Sequence, residues 1–298
     1  MRIEDVVNIA DGELVNAGYI SDILFFEEEL EKVRRETLFV SNDIEKIREA
    51  IKKGAYAILH SKKLRIIDEE IAWIRVESLE DSFLKLLKYK LLSNKLFVTD
   101  KITLEIIKSI NKDKKVIVLD KIDFNFLNGD NLIYVTSSDK IAQIAINKIK
   151  IEKELKIEII QHSTFLLDFI FKNHKYSLIF PFLYCNNLEK ALSFFENLEL
   201  NYLLKELKLS RLVPQFINSR YEKVEFGKSQ IVVVEGIKKD NYFIDELNYL
   251  FQNLKYANVK FFDNSNIDSF YNEKFDFAIL IDCKIELKEK KRNNVTLF

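Results

Sequence analysis

The stretch Leu96–Ile110, LFVTDKITLEIIKSI, decides how the rest of the chain is read. Leu96, Phe97 and Val98 form a short apolar run, and Ile102, Ile106, Ile107 and Ile110 then recur at helical spacing. A strand, a polar turn and Lys-x-Thr opening a helix form the outline of a nucleotide phosphate-binding loop. Such a loop works because glycines let successive backbone N–H groups turn inward around phosphates at a helix N terminus. Here Thr99-Asp100 is the whole turn before Lys101 and contains no glycine. Asp100 also sets a carboxylate where phosphate would lie. The outline of the loop is kept without its anion cradle.

Upstream, Ile3, Val6, Val7 and Ala10 predict a short helix stopped at Gly12, and Glu13–Val15 a strand. Thr37–Ser41 and Ala55–His60 predict strands flanking a helix at Asp43–Lys53, whose Ile44, Ile47 and Ile51 share a face and which Gly54 closes. A strand at Ala72–Val76 and a helix at Ser78–Leu92 follow. Downstream, Lys115–Leu119 and Leu132–Val135 read as buried strands around a polar turn at Asn128–Asn131. Lys140–Glu154 reads as a charged helix and Glu158–Lys172 as a second, apolar at Ile159, Ile160, Phe165, Leu166 and Phe169. Strands at Gln230–Glu235, Val259–Phe262 and Phe275–Asp282 alternate with helices at Tyr242–Leu254 and Ile267–Tyr271, a doubly wound fragment. The fold class is α/β.

With 298 residues, 48% hydrophobic and 31% charged, the chain has material for two or three domains or one large one. A net charge of −1 provides no general pull toward nucleic acid or anionic lipid. Six glycines, where average usage would give roughly twenty, weigh against a nucleotide-gripping enzyme. Cys185 and Cys283 lie far apart and outside any Cys-x-x-Cys pair. The start MRIEDVVNIADGEL lacks the basic and apolar regions of a signal peptide, and no run approaches eighteen apolar residues. A cytoplasmic protein that is not integral to a membrane is expected.

A family pattern emerges from the order of these segments. GELVN, a stretch ending LFV, a helix ending AIKKGAYAIL and then IAWIRVESLEDSFLKLL resemble the N-terminal domain of the Mur ligases of peptidoglycan synthesis. The resemblance is greatest to the branch that adds D-alanyl-D-alanine (MurF). It implies three consecutive α/β domains with mainly parallel sheets. These are a UDP-sugar-type domain at residues 1–92, a reduced ATPase-like domain at 93–226 and a truncated Rossmann-like domain at 227–298. The family's Ser-Arg pair, which helps hold the UDP-sugar, falls on Leu30 and Glu31, so a cation is replaced by a carboxylate. Its ATP loop aligns with Val98–Thr103, about four residues shorter. Lys101 and Thr103 then stand as a nucleotide-binding remnant, Ile102 takes the magnesium-binding Thr position, and a surface lysine with a helix-start threonine is the structural alternative. Asn186, in PFLYCNNLEKALSFF, and Arg220, in SRYEKVEFG, are further family-like remnants.

No other constellation points to chemistry. His60, His162 and His174 are scattered without a second ligand at metal spacing. Glu27-Glu28-Glu29 and Glu69-Glu70 read as solvated acids. Ser163 and Cys185 have no base at a recognisable interval. The aromatic run Phe165, Phe169, Phe171, Tyr176, Phe180, Phe182, Tyr184 reads either as core or as an exposed docking patch. The tail Lys284–Arg292 alternates Lys with Glu, the pattern of a solvated end.

The expectation is a Mur-ligase-like pseudoenzyme with no catalytic residue, cofactor or metal. It would bind a protein partner, for which the resemblance points to a cell-wall synthesis enzyme, and no nucleic acid. The rivals are an ATP-dependent amide-forming ligase with a rearranged nucleotide site and a sensor of UDP-sugar precursors.

Overall fold

Unbroken apolar runs such as TLFV and AYAILH require a sheet covered on both faces, because successive strand residues point to opposite sides. The computed structural model describes residues 1–19, 22–209, 211–225, 229–236 and 240–287. Within them the chain forms two compact units. The first holds Met1–Leu104, Asn111–Glu152 and Asn197–Tyr202; the second holds Glu105–Ile110, Lys153–Glu196 and the described residues from Leu203 onward.

The first unit begins with α1 (Ile3–Ala10), β1 (Glu13–Asn16), β2 (Phe25–Glu27), β3 (Thr37–Val40), α2 (Ile44–Lys52), β4 (Ala55–His60), β5 (Ala72–Arg75) and α3 (Leu79–Lys90). The strands form a sheet ordered β1-β5-β4-β3-β2, parallel except where β1 meets β5. Leu38, Val40, Ala57, Leu59, Ala72 and Ile74 face one core, shared with α1 and α3, while Phe39, Ile58 and Trp73 face another with α2. The period of two in these runs is therefore the switch between two buried faces. Asp43 caps α2 by accepting the N–H groups of Glu45 (2.9 Å) and Lys46 (3.4 Å), worth about 1 kcal/mol. Gly54 leaves that helix with φ +95°, a conformation that L side chains rarely adopt.

The unit continues with β6 (Lys95–Val98), α4 (Lys101–Ile110), β7 (Val116–Leu119), β8 (Ile133–Thr136), α5 (Asp139–Ile144) and β9 (Lys148–Lys150). Residues Glu105–Ile110 of α4 belong to the second unit. This sheet is ordered β7-β8-β6-β9 and is parallel throughout.

The second unit contains β10 (Glu158–His162), β11 (Leu166–Phe171), β12 (His174–Ile179), α6 (Cys185–Asn197), β13 (Leu212–Ile217), β14 (Ile231–Gly236), α7 (Asn241–Asn253), β15 (Val259–Phe262) and β16 (Phe277–Ile281). β10-β11-β12 is an antiparallel sheet; in β13-β14-β16-β15 only β13 runs antiparallel to its neighbour. The protein is thus a mixed α/β chain with mainly parallel pairing.

Two expected helices are absent. In place of a helix at 140–154 stand the short α5 and then the exposed strand β9, whose Lys-Ile-Lys adds to the free edge of β6. In place of a helix at 158–172 stand β10 and β11. Burial in β11 alternates strictly, with Leu167, Phe169 and Phe171 inward. Lys172 and Asn173, at φ +48° and +62°, then turn the chain tightly into β12. The apolar positions that fit a helical period also fit a strand, and the turn residues decide between them. Most of the aromatic run is core: Phe165, Phe169, Phe171, Phe180 and Tyr184 are buried, and the half-buried Tyr176 stacks on Phe169. The charged tail lies outside the described residues from 288 onward.

Candidate functional site

The parallel sheet β7-β8-β6-β9 presents its carboxyl edge at Val98, Leu119 and Thr136, the edge at which open α/β sheets hold ligands. At that edge Thr99 donates its N–H to the Thr136 carbonyl (3.0 Å) and the chain enters α4 through Asp100. The Asp100 carboxylate turns back onto the helix. One oxygen accepts the Thr103 N–H and the other the Thr103 hydroxyl, both at 2.9 Å. A helix N terminus attracts an anion through its exposed amides and dipole. Here the chain's own carboxylate sits at that position. Thr103 is fully buried in this arrangement, Ile102 is buried in the core, and Lys101 is exposed at the first position of α4.

The neighbouring strand ends are similarly engaged. The Thr136 hydroxyl donates to the Leu119 carbonyl (3.0 Å) and accepts the Ser138 N–H (3.1 Å), while Ser138 caps α5 through the Ile141 N–H. A phosphate at this edge would meet the committed hydroxyls of Thr103 and Thr136, a carboxylate of its own sign, and only the buried Thr99 hydroxyl without a hydrogen-bond partner. Two unit charges about 4 Å apart near a protein surface repel by about 4 kcal/mol.

Leu30 and Glu31 lie in the 3-10 turn Leu30–Lys32, beside the other sheet of the first unit. Leu30 is half-buried against the core around Phe39 and Trp73, and its carbonyl accepts the Lys53 ammonium (2.8 Å); Glu31 is exposed. Just upstream the structure corrects the sequence expectation for Glu27, which is 4% exposed at the end of β2 rather than solvated. Burial raises the Glu27 carboxyl, against the pull of Lys32 and Arg34. The carboxyl of Glu28 is raised by the same cause, and its Oε2 accepts the Phe124 N–H (3.3 Å) near Asp123. Glu69 and Glu70 are exposed as expected.

The other two positions singled out by the resemblance, Asn186 and Arg220, lie in the second unit on separate elements. Asn186, exposed at the start of α6, accepts Lys153 Nζ (2.9 Å), which also pairs with the buried Glu189. Arg220 is exposed in the connection from β13 to β14, its N–H donating to Asn218 Oδ1 (2.9 Å). The histidines also separate. His60 is buried at the end of β4, where its Nδ1 meets the Lys62 carbonyl at 2.7 Å and burial lowers its pKa. His162 ends β10 and stacks on Phe182, and His174 opens β12, so both sit at strand ends. Among the described residues no group of three or more His, Cys, Asp or Glu side chains is placed to hold a metal ion. No described helix is long and apolar enough to cross a membrane.

One charged constellation escapes sequence reading. Arg211 is 1% exposed in the second unit, where its guanidinium binds Glu105 (2.6 Å), Asp240 (3.0 and 3.2 Å) and the Leu209 carbonyl (2.8 Å). Burial opposes its charge, but the two carboxylates outweigh that and raise its pKa. Asp240 also caps α7, and Glu246, on the same helix, accepts the N–H groups of Arg211 (2.9 Å) and Leu212 (3.1 Å). Burial pushes the Glu246 carboxyl up to about 7, against those amides, the Arg211 charge and the Tyr184 hydroxyl. These residues come from α4, the 3-10 turn Phe182–Tyr184 before α6, the start and body of α7, and the segment leading into β13. No local spacing could have joined them.

No protein-family model and no curated protein matches the chain. Among solved structures, the MurF ligase from Thermotoga maritima in complex with ADP aligns over 90% of this chain and 87% of its own, at 16% identity and a TM-score of 0.44. A MurF structure from Acinetobacter baumannii aligns over 94% of this chain and 84% of its own, at 9% identity and a TM-score of 0.45. A UDP-N-acetylmuramoyl-L-alanyl-D-glutamate–2,6-diaminopimelate ligase aligns over 80% and 72%, at 10% identity and a TM-score of 0.32. Likenesses at this level are loose correspondences of the chain path and carry no chemistry with them.

Proposed function

We propose that this chain is a Mur-ligase-like pseudoenzyme: a binding or scaffolding protein of peptidoglycan synthesis that does not couple ATP to amide formation. Residues 1–92, 93–226 and 227–298 would correspond to the family's three domains, with a cell-wall synthesis enzyme as the protein partner. The family assignment rests on the ordered segments from GELVN to the helix ending FLKLL.

The observation that carries the loss of activity is the Asp100 carboxylate bound to the Thr103 N–H and hydroxyl at the start of α4. Phosphoryl transfer from ATP depends almost wholly on positioning and charge stabilisation, so it needs donors aimed at phosphate. At α4 the donors are turned to an internal acid, and Ile102 stands where the family has its magnesium-binding Thr. Lys101 and Thr103 are remnants of that site in this reading, and Leu30 and Glu31 mark a UDP-sugar site altered in the same sense.

Titration calorimetry with Mg-ATP tests the proposal. No saturable heat is expected with ATP at about 1 mM, the upper end of ordinary substrate affinities. Saturable binding would overturn it in favour of a ligase with a rearranged site. Capture experiments with the full chain as bait test the partner: enrichment of wall-synthesis enzymes is expected, and enrichment of ribosomal or nucleic-acid proteins instead would count against the role.

A further inference from the structure

A cleft of about 360 Å³ opens in the second unit; of the residues considered above it takes in His162, Ser163 and Phe165. Its floor is a row across three adjacent strands: Phe216 of β13 pairs with Val232 of β14, which pairs with Phe277 of β16. All three are only half-buried, because α7 covers the row incompletely. The last turn of α7 supplies one wall through Tyr249, Leu250 and Asn253, with Leu254 beyond it. The turn from β10 to β11 supplies the other, through Ser163 and Thr164. The cleft therefore lies at the amino ends of β14 and β16, opposite the edge where doubly wound sheets usually hold ligands.

The chemistry of the lining is specific. It includes no Asp, Glu, Lys or Arg among the described residues. Four aromatic rings contribute: Phe165, Phe216, Tyr249 and Phe277. Ser163 Oγ already accepts the N–H groups of Phe165 (3.2 Å) and Leu166 (3.0 Å), which leaves its proton to donate outward. Asn253 gives its amide N–H to the Tyr249 carbonyl (2.7 Å), leaving its amide oxygen as an acceptor. The volume corresponds to about a dozen waters, enough for a two-ring molecule. A charged ligand would lose hydration here and meet no Asp, Glu, Lys or Arg among the described lining residues, only the His162 imidazole that stacks on Phe182, whereas a flat apolar ring would cover the half-buried Phe216–Val232–Phe277 row. Most small-molecule sites share this composition, apolar walls with a few placed polar groups.

We propose that this cleft binds a small, uncharged, planar aromatic compound of two fused rings, seated on the Phe216–Val232–Phe277 row with one polar substituent toward Ser163 or Asn253. The proposal is independent of the Mur-ligase reading.

Saturation-transfer NMR and calorimetry on the full chain, with 2-naphthol and indole as probes, test it. Binding in the range of about 0.1–1 mM is expected for ligands of this size. The charged 2-naphthoate and the saturated decahydro-2-naphthol should bind at least about tenfold more weakly, a difference of about 1.4 kcal/mol. Leu254→Trp and Thr164→Trp, which fill the cleft from opposite walls, should each weaken 2-naphthol at least about tenfold with the circular dichroism spectrum unchanged. Either variant alone suffices if the other fails to fold. Absence of binding by both aromatic probes, equal binding of 2-naphthoate, or undiminished binding in a folded filled variant would overturn it.

Discussion

The Asp100–Thr103 pair permits a test in which the structure sets the expected numbers. Asp100 accepts a backbone N–H and a buried hydroxyl within the first turn of α4, both at 2.9 Å. Asp100→Ala removes an N-terminal cap, worth about 0.5–2 kcal/mol, and deprives a fully buried hydroxyl of its charged acceptor, worth about 1 kcal/mol more. Thr103→Val keeps the shape and removes the hydroxyl, at about 1–2 kcal/mol. Because both changes cut the same O–H contact, the double variant should lose less than the sum, with a coupling of about 1 kcal/mol. Asp100→Asn retains a good cap and should cost less than half as much as Asp100→Ala. Urea titration followed by the fluorescence of Trp73, the chain's single tryptophan and fully buried in the first unit, reports on the unit that holds the pair. A coupling within about 0.3 kcal/mol of zero would mean that the carboxylate does not hold the helix start, and the argument that the anion position is internally filled would fall with it.

Arg211→Ala leaves Glu105 and Asp240 without their buried cation, so the second unit should lose about 3–5 kcal/mol; hydrogen exchange at α7 should rise accordingly, and a change below about 1 kcal/mol would show the network to be idle. Glu246, raised from 4.5 to about 7, binds its proton more tightly folded than unfolded, so its contribution is fully present below about pH 4.5 and is lost as pH rises toward 7. Wild type should therefore lose stability relative to Glu246→Gln across that window, by up to about 3 kcal/mol, and parallel pH profiles for the two proteins would contradict the assignment. Asn173 sits at φ +62° in the β11–β12 turn, so Asn173→Ala should cost about 1 kcal/mol while Asn173→Gly is tolerated; thermal melts that rank them the other way would refute the turn assignment.

Local chemistry was legible wherever one rule acted alone. Asp43, the isoleucine face and Gly54 bracket α2 from the sequence, because a cap, a stripe and a positive-φ residue are all short-range signals. The double-faced burial of β3 and β4 was legible for the same reason, in the lengths of their apolar runs. The segment from Glu158 to Phe171 was not, since its spacing satisfies two periods and the choice fell to Lys172-Asn173. The site divides in the same way. The lack of glycine before Lys101 can be read directly, but the direction of the Asp100 carboxylate cannot.

By itself, then, the sequence determined the α/β class, the lack of glycine before Lys101 and the order of segments that resembles a Mur ligase. The tertiary structure alone decided which charges are buried. Glu27 is buried while Glu28 and Glu29 beside it are exposed, and the carboxylates that hold the buried Arg211 lie 29 and 106 residues away along the chain. Desolvation depends on everything that surrounds a group, whereas periodicity and capping depend only on the few residues beside it in the chain.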